Sequence, residues 1–195
     1  MSAIYIVGID EAGRGPLAGP VSVGVLMLNK KVDKKFLRGI KDSKKLSESM
    51  REEWFNKALE MKAGGVLDYR VALVSEKVID KNGIVEAIKI GIEDCLKKLK
   101  VPKHSEIYLD GGLRAPKNFK KQKTIIKGDE KIPVISLASI MAKVTRDRYM
   151  KKIGMNYPEY GFEEHKGYGT AKHIKAIKKF GISKIHRKTY LTNII

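Results

Sequence analysis

The stretch Gly8-Ile9-Asp10-Glu11-Ala12-Gly13-Arg14-Gly15-Pro16 decides how the first part of this chain folds. It overlaps the apolar segment 4–9, which has the composition of a buried strand. Acids seldom lie against a buried strand unless they are paired or hold a metal. Successive side chains of a regular strand point to opposite faces, so Asp10 and Glu11 can serve one site only where the strand becomes irregular. The glycines that follow them are expected to supply that break.

The same segment excludes two nucleotide-binding motifs that its glycines imitate. Residues 15–20 have the glycine spacing of a phosphate-binding P-loop but lack the Lys-Ser/Thr pair that must follow. Residues 13–18 have dinucleotide-binding spacing, but that motif must open a helix. Here residues 21–28 are β-branched and apolar, which predicts a strand. We therefore expect segments 4–9 and 21–28 to form a hairpin around the loop.

Length and composition favour a soluble protein with one domain, or one domain and a small appendage. The chain has 195 residues, of which 43% are hydrophobic and 32% are charged. It has no apolar run near the roughly 20 residues that cross a bilayer and no signal-peptide pattern at its start. Its single cysteine, Cys95, excludes a disulfide framework and a cysteine-based zinc site. These features predict a cytoplasmic protein without a membrane partner.

The charge balance indicates a polyanionic partner. Forty Lys and Arg residues against 22 Asp and Glu residues give a net charge of +18. The excess is concentrated in segment 165–195, which contains eight basic residues and no acid. Lys and Arg gain affinity for nucleic acids by releasing counterions from phosphates. The alternative is a solvated surface of a lysine-rich, heat-adapted protein.

The remaining pattern predicts a mixed five-stranded α/β sheet flanked by helices, with a helical C-terminal portion. Strands are expected at about 4–9, 21–28, 66–74, 106–110 and 124–126. Helices are expected from Ser47 to Gly64, after Ser75 as far as Gly83, from Ile84 to about Pro102, from Val134 to about Ile153 and from Thr170 to Gly181. Small residues in the helix from Val134 should let it pack close to the sheet. Residues 157–168 are expected to be irregular.

Acids recur where strands of the predicted sheet end. Asp10 and Glu11 follow the first strand, Asp110 follows the fourth and Asp129 follows the fifth. Neighbouring strand ends converge, so the four carboxylates can form one cluster, where they would repel each other. Hard divalent cations relieve that repulsion, and all-oxygen ligands select Mg²⁺ or Mn²⁺. The pattern beside a phosphate-binding surface suggests two-metal phosphodiester hydrolysis.

Each of these acids also has a simpler explanation. Asp110 precedes two glycines and could be a turn residue. Asp129 is flanked by lysines and could be only a surface ion pair. Asp147 lies one helical turn after Lys143 and could pair with it, so we place it outside the site as a supporting acid.

Six segments of the chain match motifs of one known family. They are Gly8-Ile-Asp-Glu-Ala-Gly-Arg-Gly-Pro-Leu-Ala-Gly-Pro20, Asp42-Ser-Lys-Lys-Leu-Ser47, Leu109-Asp-Gly111, Lys127-Gly-Asp129, Ala138-Ser-Ile-Met-Ala-Lys-Val-Thr-Arg-Asp147 and His165-Lys-Gly-Tyr-Gly-Thr170. With these motifs the chain resembles the type 2 ribonucleases H, specifically bacterial ribonuclease HII, over nearly its full length.

The resemblance implies a ribonuclease H-like fold, with residues 1–195 as a single catalytic domain and about 155–195 as a basic helical extension packed on it. It implies an endonuclease that cuts the RNA strand of RNA–DNA hybrids and single ribonucleotides embedded in duplex DNA. The products would carry a 3′-OH and a 5′-phosphate. Ribonucleotide excision repair and DNA replication would be its setting.

The resemblance also implies roles for individual residues. The catalytic acids, which would hold two Mg²⁺ or Mn²⁺ ions, are Asp10, Glu11, Asp110 and Asp129. The loop Gly13-Arg14-Gly15 would read the ribose 2′-OH through its backbone, and only glycine lets main-chain atoms approach a sugar so closely. Tyr168 would stack on the sugar after the ribonucleotide. Contacts to phosphate are implied for Lys44, Ser139 and Lys143.

Two other functions stay open at this point. A non-catalytic nucleic-acid-binding module would explain the charge but not four acids at strand ends. Another two-metal nuclease of the same fold would explain the acids but not the Gly-Arg-Gly loop with Tyr168. The only partner that the sequence indicates is nucleic acid; no protein partner is evident, and we expect a monomer.

Overall fold

A computed structural model describes residues 4–32, 34–37, 39–40, 46–192 and 194. Within these residues the strands form one five-stranded sheet in the order β3-β2-β1-β4-β5. The strands are β1 (Tyr5–Ala12), β2 (Val21–Asn29), β3 (Leu67–Val74), β4 (Glu106–Asp110) and β5 (Gln122–Ile125). The first three strands are antiparallel, whereas β1, β4 and β5 are parallel, so the predicted mixed sheet and its hairpin are confirmed.

The helices lie close to their predicted positions. They are α1 (Glu48–Ala63), α2 (Glu76–Asn82), α3 (Ile84–Lys98), α4 (Gly128–Lys131), α5 (Pro133–Gly154), α6 (Phe162–His165) and α7 (Ala171–Phe180). Two expectations were wrong in detail. The segment expected to be irregular contains a 3-10 helix and the short helix α6, and Asp129 lies in the four-residue helix α4.

Each face of the sheet buries its own apolar core. Helix α3 covers one face, and its residues Ile88 and Ile92 pack with Val7, Ile9 and other strand residues. Helices α1 and α5 cover the opposite face. Burying both faces explains why β1 and β2 are apolar almost throughout rather than alternating.

Helix α5 lies unusually close to the strands beneath it. A methyl group added at Gly8 would come within 2.1 Å of the Val134 carbonyl oxygen, and one at Gly24 within 2.3 Å of the Ala138 carbonyl oxygen. Small residues on both sides therefore let the backbones approach, as the composition of this helix predicted. The contact fixes α5 against β1 and β2, and the candidate site uses residues of both.

The C-terminal portion packs around a separate apolar cluster. The rings of Tyr160 and Phe162 stack with centroids 5.3 Å apart, and Met150 of α5 and Ile177 of α7 complete the packing. Leu17 of the β1–β2 loop also belongs to this cluster. In the described part of the chain, none of the helices combines the length and the apolar character needed to cross a membrane.

The close approach of α5 generates a stability prediction. Gly24→Ala would force the methyl group against the Ala138 carbonyl, so the free energy of unfolding should fall by about 1–3 kcal/mol, as for other overpacked cores. Gly64→Ala is the matched control, because an added methyl there finds no atom closer than 3.6 Å. Urea unfolding of both variants measures the difference. Equal stability of the two would show that the helix can shift without cost.

Candidate active site

The parallel pairing of β1 with β4 brings two of the predicted acids together. Ile9 pairs with Leu109, so Asp10 and Asp110 follow on adjacent strands at the same edge of the sheet. We expected the glycines after Glu11 to interrupt the regular strand. That expectation was wrong, because β1 stays paired with β2 as far as Ala12. What opens the edge is the end of the pairing with β4 after Ile9, which leaves room beside both Asp10 and Glu11.

In three of the acids, one carboxylate oxygen contacts a backbone amide or a guanidinium group. Oδ1 of Asp10 accepts a hydrogen bond from the Glu11 amide at 2.7 Å, and Oδ1 of Asp110 accepts one from the Gly128 amide at 2.6 Å. Oε1 of Glu11 lies 3.0 Å from the Arg14 guanidinium. The other oxygen of Glu11 is buried and has no hydrogen-bond partner among the described residues. A buried carboxylate oxygen of this kind calls for a cation or a proton.

Burial raises the pKa of Asp10 well above its ordinary value, and the nearby charges of Glu11 and Asp110 raise it further. Hydrogen bonds from Ser139 and the Glu11 amide act in the opposite direction. Three carboxyl groups thus lie near one another, and the charges of two of them destabilise the charged form of Asp10. Among the described residues, however, no three acidic, histidine or cysteine side chains are gathered closely enough to hold a metal ion as they stand.

Asp129 occupies a different environment from the other acids. Its side chain is fully buried, so the surface ion pair considered above is wrong. The flanking lysines have other partners: Nζ of Lys127 lies 3.8 Å from Glu130, and Lys131 donates to the Ile126 carbonyl at 2.9 Å. The bond from the Gly128 amide to Asp110 ties the start of α4 to the site, and Asp129 is the next residue.

A pocket of about 390 Å³ opens beside these acids. Its lining includes Asp10, Glu11, Asp110, Gly13, Arg14, Gly15, Ser139, Lys143 and Tyr168. The structure therefore brings most of the predicted site residues to one surface. Asp129 is buried and is not among the lining residues, and Lys44 lies outside the described residues.

Helix α5 supplies the basic side of the pocket. Lys143 pairs with Asp147 at 2.9 Å, which confirms the predicted contact between them. The Lys143 ammonium also lies 5.5 Å from the centre of the Tyr168 ring. Tyr168 is 40% exposed, which is more than a packed core tyrosine would be.

Sequence reasoning missed the buried arginines under the Gly-Arg-Gly loop. Arg146 is fully buried and donates to the carbonyls of Pro20 at 2.8 Å, Lys166 at 3.0 Å and Ala18 at 3.1 Å. Its position offered a signal, since it continues the buried stripe of α5 one turn after Ala142. Burial lowers its pKa to about 10.

Arg187 supports the same loop from the C-terminal side. Its guanidinium donates to the carbonyls of Gly13 at 2.7 Å, Arg14 at 2.8 Å and Gly19 at 2.9 Å. No carboxylate among the described residues pairs with either buried arginine. The loop carbonyls are therefore the partners that make burial of both cations tolerable.

The structure explains why glycine occupies two positions of the loop, which the sequence alone did not show. Gly13 has a φ of +91°, and a methyl group there would lie 2.1 Å from Nε of Arg146. Gly15, in contrast, has nothing within 4 Å of that position. Gly13 is thus required by the protein's own packing, and Gly15 leaves the main chain open to the pocket.

Arg51 is a further lining residue that sequence reasoning missed. It lies in the first turn of α1, where the helix dipole disfavours a cation. Its guanidinium donates to the Leu46 carbonyl. The unfavourable position of a base in a first helical turn was the available signal.

Comparisons with known proteins agree on one family. The family model described as Ribonuclease HII matches residues 7–193. The chain is 42% identical over 191 residues to Ribonuclease HII of Caldicellulosiruptor bescii, covering 98% of this chain and 88% of that protein. Among solved structures it is similar to ribonuclease H2 of Pyrococcus horikoshii OT3, with a TM-score of 0.75, 32% identity and coverage of 98% and 97% of the two chains. It is also similar to RNase HII of Archaeoglobus fulgidus, solved as a complex with PCNA, with a TM-score of 0.74, 27% identity and coverage of 97% and 96%.

The raised pKa of Asp10 predicts how the metal-free protein responds to pH. The folded state binds the Asp10 proton more tightly than the unfolded state does, so stability should fall as pH rises from about 4 through the raised pKa. Asp10→Asn has no such proton to lose. In EDTA the variant should therefore melt higher than wild type at neutral pH, with a weaker dependence on pH above about 4. Identical melting curves for the two proteins across that range would contradict the clustering of charge.

Proposed function

Because the chain belongs to the ribonuclease HII family and is a ribonuclease H, we propose that it cleaves both RNA–DNA hybrids and single ribonucleotides embedded in duplex DNA, using divalent metal ions. The observation that carries this proposal is the shared pocket. It places Asp10, Glu11 and Asp110 beside the open backbone of the Gly13–Gly15 loop.

The four acids are suited to Mg²⁺ or Mn²⁺ by their chemistry. All their donors are carboxylate oxygens, which hard cations prefer, and the unpartnered Oε2 of Glu11 and the raised pKa of Asp10 both favour a bound cation. Asp10, Glu11 and Asp110 would hold the ions, and Asp129 would complete the set. Two bound ions would activate water and neutralise charge on the leaving oxygen.

Before binding a cation, Glu11 is paired with Arg14. A metal ion therefore has to compete with the guanidinium for Oε1 of Glu11. Arg14 is largely exposed, so it can turn toward a phosphate when it leaves the acid. We assign Arg14 to substrate binding on this basis.

The direction of the loop backbone supports recognition of a ribose hydroxyl. The carbonyls of Gly13 and Arg14 point to Arg187. In a trans peptide the next N–H points the opposite way, so the amides of Arg14 and Gly15 face away from Arg187. Neither amide donates a hydrogen bond within the described residues. They are available to the 2′-OH, the group that distinguishes RNA from DNA.

The remaining pocket residues would position the nucleic acid. Tyr168 presents an exposed ring that can stack on the sugar after the ribonucleotide, and Lys143 beside it can contact a phosphate. We retain Ser139 and Lys44 as phosphate contacts; the Ser139 hydroxyl would have to leave Asp10 to donate to a phosphate.

We also propose that residues 1–195 act as one catalytic domain. The basic helical part at about 155–195 would be an extension of it that lies along the nucleic acid. In this proposal the protein acts on nucleic acid in the cytoplasm as a monomer. Its net charge of +18 favours binding to such a substrate.

Cleavage assays test the substrate and the acids together. With Mg²⁺, wild type should cut a DNA duplex that contains one ribonucleotide and leave an all-DNA duplex intact. Asp10→Asn should lose cleavage of that duplex and of a long RNA–DNA hybrid while still binding both, because it removes metal-binding charge without removing volume. Asp94→Asn, in an exposed ion pair of α3, is the matched control and should cut normally. Binding without cleavage by wild type would favour a non-catalytic module, and cleavage of all-DNA would favour another nuclease.

Thermal melting tests metal binding separately from activity. Mg²⁺ or Mn²⁺ binds only the folded site, so either ion should raise the Tm of wild type in a concentration-dependent manner. The increase should be absent or much smaller for Asp10→Asn and unchanged for Asp94→Asn. A Tm that does not respond to either ion in wild type would contradict the assignment of the acids.

Selectivity depends on Tyr168 in this proposal. Tyr168→Ala should lower kcat/KM on the single-ribonucleotide duplex roughly 5- to 150-fold. This factor corresponds to the loss of a stacking contact worth about 1–3 kcal/mol. The loss on a long hybrid should be smaller, because many registers are available there. Tyr168→Phe should keep most of the activity, and Tyr5→Ala at the far end of β1 is the control. Wild-type behaviour of Tyr168→Ala on the single-ribonucleotide duplex would make the tyrosine a packing residue.

A further inference from the structure

Residues 183–190, here called the C-terminal segment, run between the Gly13–Gly15 loop and the loop that carries Tyr168. The segment pairs with residues after the first loop: the Gly19 amide donates to the Ile185 carbonyl, and the Arg187 amide donates to the Leu17 carbonyl, both at 2.8 Å. Asp80 of α2 anchors its far end by accepting bonds from the amides of Lys188 at 2.9 Å and Thr189 at 3.0 Å. The segment is thus fixed to the body of the protein on both sides.

Two consecutive residues of this segment, His186 and Arg187, connect it to the loop that carries Tyr168 and to the Gly13–Gly15 loop. Arg187 has an extended backbone conformation, and neighbouring side chains of extended chain point to opposite sides. The Arg187 guanidinium turns toward the carbonyls of Gly13 and Arg14. His186 turns toward His173, and their Nε2 atoms lie 3.0 Å apart.

Backbone partners fix the protons of this histidine pair. The Ser183 amide donates to Nδ1 of His186 at 2.9 Å, so Nε2 of His186 carries the proton and donates to Nε2 of His173. Nδ1 of His173 then donates to the Tyr168 carbonyl at 2.9 Å. Burial lowers the pKa of both histidines to about 4, so both are neutral near pH 7. One continuous chain of hydrogen bonds therefore runs from Ser183 to Tyr168.

We propose that His186 and Arg187 are positioning residues that set the distance between the Gly13–Gly15 loop and Tyr168, and that this spacing determines the preference for an embedded ribonucleotide. The proposal depends on the proposed function, in which both elements contact the substrate. An embedded ribonucleotide offers one register only, so the 2′-OH and the next sugar must be met together. A long hybrid offers many registers and tolerates an altered spacing.

Simple packing does not explain these two residues. Apolar side chains of similar size fill buried space at lower desolvation cost than a guanidinium or a chain of imidazoles. The guanidinium of Arg187 donates to three main-chain carbonyls, and the ring nitrogens of His186 bond to Ser183 and to His173. The geometry therefore specifies the orientation of two loops rather than the filling of a core.

The test compares kcat/KM on a single-ribonucleotide duplex with kcat/KM on a long hybrid for each variant, and uses the ratio as the readout. Arg187→Lys keeps the charge but loses the fork of donors, and His186→Asn keeps the acceptor for Ser183 but is too short to reach His173. Each should lower the ratio by about tenfold or more, as when a buried polar group loses its partner. His186→Gln retains an N–H toward His173 and should restore most of the ratio. Asp94→Asn, in the exposed ion pair of α3, is again the control and should leave the ratio within about twofold of wild type.

A second cycle in the Tyr168→Ala background separates positioning from general damage. Both residues act through the spacing between the Gly13–Gly15 loop and Tyr168, so neither His186→Asn nor Arg187→Lys should lower the ratio further there. The proposal is overturned if folded variants keep the wild-type ratio, or if His186→Asn lowers the ratio equally in both backgrounds. If His186→Asn does not fold, the ratio measured for Arg187→Lys alone tests the proposal. Failure of wild type to cut the single-ribonucleotide duplex would instead refute the proposed function.

Discussion

The Gly13–Gly15 loop depends on two buried guanidinium groups whose charges are stabilised by main-chain carbonyls. Arg146 and Arg187 together donate to six main-chain carbonyls, five within residues 13–20 and that of Lys166, and no described carboxylate pairs with them. A charged group in this position is stable only while each donor keeps its acceptor. The loop must therefore turn its carbonyls inward, and its amides face away from Arg187. The polarity of the loop follows from what lies beneath it.

The pocket combines two opposite electrostatic requirements. Its acids need cations, whereas its substrate is a polyanion that a protein of net charge +18 attracts. In the structure the bases nearest to the acids are themselves paired, Arg14 with Glu11 and Lys143 with Asp147. The Arg14 pair offsets the charge of Glu11 within the cluster of acids.

Local patterns in the sequence were sufficient for the sheet and for two acids, but not for the support beneath them. Strand periodicity and the acids after β1 and β4 predicted the neighbouring positions of Asp10 and Asp110, because parallel pairing brings such ends together. The depth of Asp129 was not predictable, since a four-residue helix leaves no periodic signal. The role of Arg187 was not predictable either. It bonds to main-chain atoms, which are the same in every residue type, and these atoms lie far away along the chain.

That separation along the chain has a consequence for biosynthesis. The bond from Arg187 to the Gly13 carbonyl joins residues 174 positions apart. Ribosomes make the N-terminal strands first, at about 5–20 residues per second, and contacts of such high sequence separation form last. At that rate about 9–35 s of synthesis separate Gly13 from Arg187. The Gly13–Gly15 loop is therefore made long before the cation that holds its carbonyls, and it can take its final shape only after residue 187 has been added.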